Sequence, residues 1–191
     1  LFAFLMALSL ALVLTLNRET LVLAFVGGAI AVTYPLAKRF TYLPQVYLGL
    51  AFSWGIPMAF AAQDKSVGAL AWSLVLANLL WTVAYDTMYA MADRPDDLKV
   101  GIKSSAILFG RFDLVINAVL QVLALVTLVL VGQYLGLNSW FYAGLAGAGA
   151  TAFYQNRLCT ERDRTQCLKA FLNNIWFGGF VFAGIVLAYI G

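Results

Sequence analysis

Charged residues are concentrated in one stretch of the chain, residues 85–110, which lies between two long apolar segments. Its carboxylates and cations are Asp86, Asp93, Asp96, Asp97, Arg94, Lys99 and Lys103. Only 11% of the whole chain is charged. Because ionisable groups are costly inside a membrane, carboxylates beside a span usually pair, bind ions or serve a polar cavity. This stretch is therefore the first candidate for chemistry.

The spacing of three aspartates indicates what that chemistry could be. On a helix, Asp93 and Asp97 are one turn apart on one face, and Asp86 lies about two turns earlier on nearly the same line. Carboxylates so placed repel one another, and a divalent cation would relieve the repulsion. Hard oxygen ligands favour Mg²⁺, whose coordination is commonly completed by substrate phosphates. Pro95, however, predicts that the helix ends or kinks after Asp93, which leaves Asp96 and Asp97 on a turn.

The same carboxylates also have a simpler interpretation. Asp93 and Asp97 could lie on a solvated turn and form salt bridges with Arg94 or Lys99. Spacing alone does not separate this alternative from a metal-dependent site.

The elements that position these residues are predicted to be membrane-spanning helices. The chain is 63% hydrophobic and has a mean hydropathy of +0.87. Its share of charged residues, 11%, is less than half of the roughly 25% found in an ordinary soluble domain. Its apolar segments are residues 1–16, 21–37, 46–62, 68–85, 112–133, 137–155 and 170–190. Each is long enough, or nearly so, to cross a hydrocarbon core of about 30 Å. The predicted fold class is an all-α polytopic membrane protein with seven transmembrane helices.

Orientation follows from the distribution of lysine and arginine. Ten of the twelve lie in or beside the three longer connections, residues 38–45, 86–111 and 156–169, whereas Arg18 and Lys65 lie on the other side. The positive-inside rule then places the acidic loop in the cytoplasm and the C-terminus outside. The cations form no continuous basic stripe, so no nucleic-acid partner is expected. The lipid bilayer is the predicted environment, and no particular protein partner is indicated.

Four segments together resemble the UbiA superfamily of intramembrane prenyltransferases, in particular its bacterial branch that prenylates 4-hydroxybenzoate. They are YDTMYAMADRPDDLKVGIKSSAILFG (85–110), AKRFTYLPQVYLG (37–49), FSWGIPMAFAA (52–62) and KAFLNN (169–174). The resemblance covers essentially the whole chain and implies one domain, residues 1–191, with a nine-helix fold. The seven segments match the last seven helices. The first two helices and a first Asp-rich motif would precede residue 1, so residues 1–191 alone are expected to be inactive.

The resemblance also implies a reaction. A polyprenyl group would pass from polyprenyl diphosphate to the ring of 4-hydroxybenzoate, an early step of ubiquinone biosynthesis at the bacterial inner membrane. Asp93 and Asp97 would bind Mg²⁺ through the diphosphate, with Asp86 and Asp96 as neighbours.

Cationic and tyrosine residues complete the predicted site. By similarity to the family's YPxxKR pattern, Tyr34 and Lys38 would contact the diphosphate, with Arg39 beside them. Lys103 is a second cation for the diphosphate or for the benzoate carboxylate. Lys38, Arg39 and Lys103 could equally be membrane anchors that only set topology.

Two other functions stay open. A related enzyme could prenylate another acceptor, such as a naphthoate, a haem or a chlorophyllide. A non-enzymatic bundle, such as a transporter with the acidic loop as a cation gate, is the third class. The clustering of charge near one membrane face, with no acid at mid-span, argues against transport.

Overall fold

In a computed structural model, which describes residues 1–63 and 67–191, the chain is almost entirely helical. Its helices are α1 (Phe2–Val13), α2 (Arg18–Phe40), α3 (Pro44–Ser53), α4 (Gly55–Ala62), α5 (Ala69–Val100), α6 (Ser105–Phe109), α7 (Asp113–Leu135), α8 (Ser139–Leu158) and α9 (Arg164–Ile190). A short 3₁₀ turn, Gly110–Phe112, joins α6 to α7. Lys65, which contributes to the predicted orientation, lies outside the described residues.

Each of the seven predicted apolar segments contains helix. Within the described residues, five stretches have the length and composition of membrane spans: Arg18–Phe40, Pro44–Ala62, Ala69–Val100, Ser105–Leu135 and Arg164–Ile190. The first segment forms the shorter α1 and the sixth forms α8. The third is interrupted at Trp54, between α3 and α4. The protein is thus a multi-pass all-α membrane protein.

Side chains that begin helices explain several boundaries. Asn17 Oδ1 accepts the Thr20 N–H at the start of α2, and Asp163 Oδ1 accepts the Gln166 N–H at the start of α9, both at 2.9 Å. Such caps satisfy backbone donors that have no partner within the helix. At the C-terminal end of α5, Gly101 adopts φ 70°, a left-handed conformation that glycine reaches without a steric penalty.

The central helix, α5, differs from the prediction. It continues through Pro95 to Val100, so Asp96 and Asp97 lie on the helix and the predicted turn is wrong. Most of the predicted acidic loop is therefore helical. A proline inside a helix costs about 3 kcal/mol because it removes a hydrogen bond and crowds the preceding turn. Apolar packing one turn before Pro95 offsets this cost, because Met91 is buried in the cluster that α5 forms with α6 and α9.

Packing around α5 organises the bundle. It contacts α3, α7 and α9, and its buried residues Met88 and Met91 pack against Cys159, Cys167 and Ala170. The backbones of α8 and α9 are in close contact at Gly144, where a Cβ atom would lie 2.6 Å from the Phe180 carbonyl oxygen. This arrangement holds the charged end of α5 against its neighbours.

Candidate functional site

Three aspartates share one face of α5. Because the helix is continuous from Ala69 to Val100, Asp86, Asp93 and Asp97 project within roughly 40° of one another. Asp97 is only 9% exposed, and the Asp93 side chain is 29% exposed. The helix thus presents a line of carboxylates, which we call the carboxylate face (Asp86, Asp93 and Asp97).

The end of α2 supplies the opposing positive charge. The Lys38 ammonium interacts electrostatically with both Asp86 and Asp97. One turn earlier on α2, Tyr34 lies near Asp86 and Tyr89. The predicted candidates Tyr34, Lys38, Asp86, Asp93 and Asp97 are therefore brought together between α2 and α5. This is possible because α2 extends to Phe40, so Lys38 and Arg39 are helical and not in the predicted loop.

Three further side chains adjoin the carboxylate face, and sequence reasoning assigned them no role in the site. Gln45 lies beside Asp86, Tyr89 beside Asp93 and Ser104 beside Asp97. Gln45 and Ser104 belong to the PQ and GIKS segments of the sequence. Those segments supported the family resemblance, but nothing in their spacing showed which residue would face a carboxylate.

The orientation of Gln45 is set by its second partner. Gln45 is 2% exposed, and its Oε1 accepts the Ser105 N–H at 3.2 Å. Since a carboxamide has one acceptor and one donor end, this leaves the Nε2 donor for the Asp86 carboxylate. Gln45 thereby connects α3, α5 and the start of α6 at the site.

The remaining predicted residues lie elsewhere. Asp96 accepts hydrogen bonds from Lys99 at 3.1 Å and from Arg164 at 2.8 Å, so it faces α9 and not α2. Arg39 is exposed. Lys103 Nζ donates to the Phe40 carbonyl at 3.4 Å and lies 5.2 Å from the centre of the Tyr42 ring. Lys103 therefore adjoins the end of α2, not the carboxylate face.

The salt bridge considered above between Arg94 and the aspartates of the carboxylate face is not formed. Arg94 does not pair with Asp93 or Asp97 but with Asp113, which is fully buried. Arg162 binds the same carboxylate at 2.8 Å and 3.0 Å, and these hydrogen bonds raise the pKa of its guanidinium. We call Arg94, Asp113 and Arg162 the arginine clamp. It ties α5, α7 and the α8–α9 connection together.

The carboxylate face fits a metal that is shared with a phosphate ligand better than one held by protein alone. Among the described residues, no three acidic, cysteine or histidine side chains are grouped closely enough to hold an ion. Mg²⁺ commonly takes one or two carboxylates and completes its coordination with water and substrate phosphates. The buried Ser104 hydroxyl lies beside Asp97 and adds a polar group at this end of the carboxylate face.

Sequence comparison gives a family match over nearly the entire chain. The model of the UbiA prenyltransferase family matches residues 1–188. A protein named 4-hydroxybenzoate octaprenyltransferase from Aeromonas salmonicida (strain A449) is 56% identical over 190 residues, covering 100% of this chain and 66% of its own length. A protein of the same name from Methylococcus capsulatus is 50% identical, covering 100% of this chain and 65% of its own length. The chain thus spans slightly less than two thirds of these relatives.

Two solved structures share the fold. A UbiA homolog from Aeropyrum pernix K1 in its apo form superposes with a TM-score of 0.79 at 24% identity, over 95% of this chain and 68% of the other. A structure described as digeranylgeranylglyceryl phosphate synthase gives 0.74 at 20% identity, over 97% and 67%. At these identities the likeness concerns the arrangement of helices.

Proposed function

Because the chain belongs to the UbiA prenyltransferase family, we propose that the protein transfers a polyprenyl group from polyprenyl diphosphate to the ring of 4-hydroxybenzoate. The observation that carries the proposal is the electrostatic interaction of Lys38 on α2 with Asp86 and Asp97 of the carboxylate face. The names of relatives that are 50% and 56% identical support this acceptor. The product is a prenylated hydroxybenzoate, an early precursor of ubiquinone.

In this proposal the carboxylate face and α2 bind the two ends of the diphosphate. Mg²⁺, when bound, neutralises negative charge on the diphosphate, and Asp93 and Asp97 would hold it there. The Lys38 ammonium then stabilises the charge that develops as the C–O bond of the donor breaks, where electrostatic catalysis is most effective. Tyr34, one turn from Lys38, is positioned to donate a hydrogen bond to the same group.

Bond breakage leaves an allylic carbocation on the prenyl chain and free diphosphate. The electron-rich acceptor ring attacks the cation ortho to its hydroxyl group, and transfer of the ring proton to the released diphosphate restores aromaticity. Water must be excluded because it would capture the cation. Lys103, beside the end of α2, is a second cation for the diphosphate or for the benzoate carboxylate.

The prenyl tail requires an apolar path away from the charged end of α5. A cavity of about 380 Å³ lies between α4, α5, α7 and α9, with Trp81, Phe177 and Leu128 among its lining residues. Trp81 is one turn before Tyr85 on α5 and stacks on Phe177, with ring centres 5.3 Å apart. This cavity supports a route for the tail that starts near Asp86 and continues into the bundle.

The location proposed for the site is the cytoplasmic side of the bacterial inner membrane, with the C-terminus outside. Ten of the twelve lysines and arginines lie at the membrane face that carries the carboxylates, as the positive-inside rule requires. Both proposed substrates are anionic, and the more basic face is where they would be bound.

Transfer to another acceptor is the second candidate. The residues described above would bind the diphosphate of the donor, and enzymes with another acceptor would use the same kind of donor. The site is therefore also compatible with a naphthoate, haem or chlorophyllide acceptor. Relatives named for 4-hydroxybenzoate favour the benzoate. Membership of a prenyltransferase family disfavours the transporter alternative.

The test uses membranes that contain the complete gene product. They are incubated with labelled polyprenyl diphosphate, Mg²⁺ and either 4-hydroxybenzoate or an alternative acceptor, with and without EDTA. We expect labelled prenyl-hydroxybenzoate that disappears with EDTA and in Asp97→Asn but persists in Glu161→Gln, which removes an exposed carboxylate outside the site. Product only with another acceptor would replace the proposed substrate. Solute uptake without any prenyl transfer would overturn the reaction class.

A further inference from the structure

A groove on the outer surface of the bundle lies between the start of α7 and the end of α8. Its volume is about 370 Å³ and its walls include Leu114, Val115, Val119 and Phe153, with Arg157 at one end. Val119 is 50% exposed and Phe153 is 68% exposed, so the walls face the surroundings of the bundle and not its interior. The groove is separate from the α2–α5 site.

Positive charge without an opposing carboxylate marks one end of this groove. Arg162 and Arg164 nearby both form ion pairs with aspartates. In the part of the chain that the structure describes, Arg157 forms no ion pair, and its guanidinium lies 5.7 Å from the centre of the Phe153 ring. The guanidinium is thus held over a wall of the groove, where its charge is available to a ligand.

A second arginine lies just before α7, whose first turns form one wall of the groove. Arg111 also lacks an ion pair in the described chain, lies over the Phe112 ring at 4.7 Å, and precedes Val115 by about one helical turn. Both arginines lie at the more basic face of the molecule. A ligand in the groove would therefore meet apolar side chains along its length and the uncompensated Arg157 at one end, with Arg111 one turn before the wall residue Val115.

We propose that this groove binds an anionic phospholipid. One acyl chain lies along Leu114, Val115 and Val119, and the headgroup phosphate lies at Arg157 and Arg111. Arginine is suited to this role because its planar fork of donors matches phosphate oxygens. Charge complementarity favours a lipid with a net negative headgroup, such as phosphatidylglycerol, over a zwitterionic one.

The test measures lipid binding to the complete gene product by native mass spectrometry. The purified protein in detergent is offered phosphatidylglycerol and phosphatidylcholine with identical chains, and the ratio of bound lipids gives the preference. We expect Arg157→Gln to lower the preference for phosphatidylglycerol about fivefold, since a basic residue near the membrane surface contributes about that much to anionic-lipid binding. Arg157→Lys should retain most of it. Val119→Trp, which fills the groove, should remove one bound lipid of either type.

A matched control separates the groove from general surface charge. Lys169→Gln removes an exposed cation of α9 that lies at the same face and does not line the groove. We expect it to leave the preference within twofold of the unmodified protein. Equal losses in Lys169→Gln and Arg157→Gln would overturn the proposal, as would an unchanged lipid count in Val119→Trp. Displacement of the lipid by polyprenyl diphosphate would also overturn it, because the groove would then belong to the substrate.

Discussion

The carboxylate face and the arginine clamp both contain aspartates, but the negative charge is balanced within the protein only in the clamp. In the clamp, buried Asp113 accepts hydrogen bonds from Arg94, Arg162 and the Leu114 N–H, so its charge is fully matched within the protein. In the carboxylate face, Asp86 and Asp97 share the charge of Lys38 from α2, and Asp93 has a long ion pair, 3.9 Å, with Arg164. The fully hydrogen-bonded Asp113 stabilises the bundle, whereas the excess negative charge of the carboxylate face requires a cation that the protein does not supply.

The largest effect should follow from changes to the carboxylate face. We expect Asp93→Ala or Asp97→Ala to lower turnover by about 10³-fold, because the loss of one group that stabilises transition-state charge costs roughly 3–4 kcal/mol. Membrane insertion and thermal stability should be unchanged, as the protein leaves these charges incompletely paired. Prenyl transfer and the thermal midpoint are measured on the same preparations. Full turnover in both variants would remove these residues from the site.

The arginine clamp should show the reverse pattern. We expect Asp113→Asn to lower the free energy of unfolding by about 3 kcal/mol, because two guanidiniums lose their buried partner. Thermal denaturation in detergent measures this loss, and Glu161→Gln serves as the control for removing an exposed carboxylate. At temperatures where the variant is folded, turnover should fall far less than in Asp97→Ala. A stable but inactive variant would show that the clamp acts in catalysis.

Gln45 offers a way to sharpen the comparison, because it links the carboxylate face to the protein scaffold. We expect Gln45→Met, which keeps the size but removes the amide, to lower kcat/KM about tenfold through loss of a hydrogen bond to a charged group. Gln133→Met at an exposed position of α7 is the matched control. A lower thermal midpoint with unchanged kcat/KM would assign Gln45 a structural role only.

The smallest effect is expected at Asp96. Its partners Lys99 and Arg164 are exposed, with side-chain exposures of 74% and 62%, and exposed ion pairs contribute about 1 kcal/mol or less. We expect Asp96→Asn to change turnover by about twofold at most and the free energy of unfolding by about 1 kcal/mol or less. Both are measured beside Asp97→Asn. A loss as large as that of Asp97→Asn would return Asp96 to the diphosphate site.

The sequence predicts the membrane fold well because apolar runs and charge asymmetry are local properties. The carboxylate face could also be found, since residues 86, 93 and 97 keep helical spacing. Pro95 was misleading because its local preference is overridden by packing against distant helices. The pairing of Asp113 with Arg94 and Arg162 bridges 19 and 49 residues, and no pattern along the chain indicates it.

We propose that the carboxylate face binds a magnesium-loaded diphosphate. The most direct test is the binding of a non-reactive polyprenyl diphosphate analogue to the complete gene product, with and without Mg²⁺, in the unmodified protein and in Asp93→Asn/Asp97→Asn. We predict Mg²⁺-dependent binding that weakens at least about 100-fold in the double variant, as expected when two charge-assisted ligands are lost. Equal affinity in the two proteins, with the same response to Mg²⁺, would contradict the account.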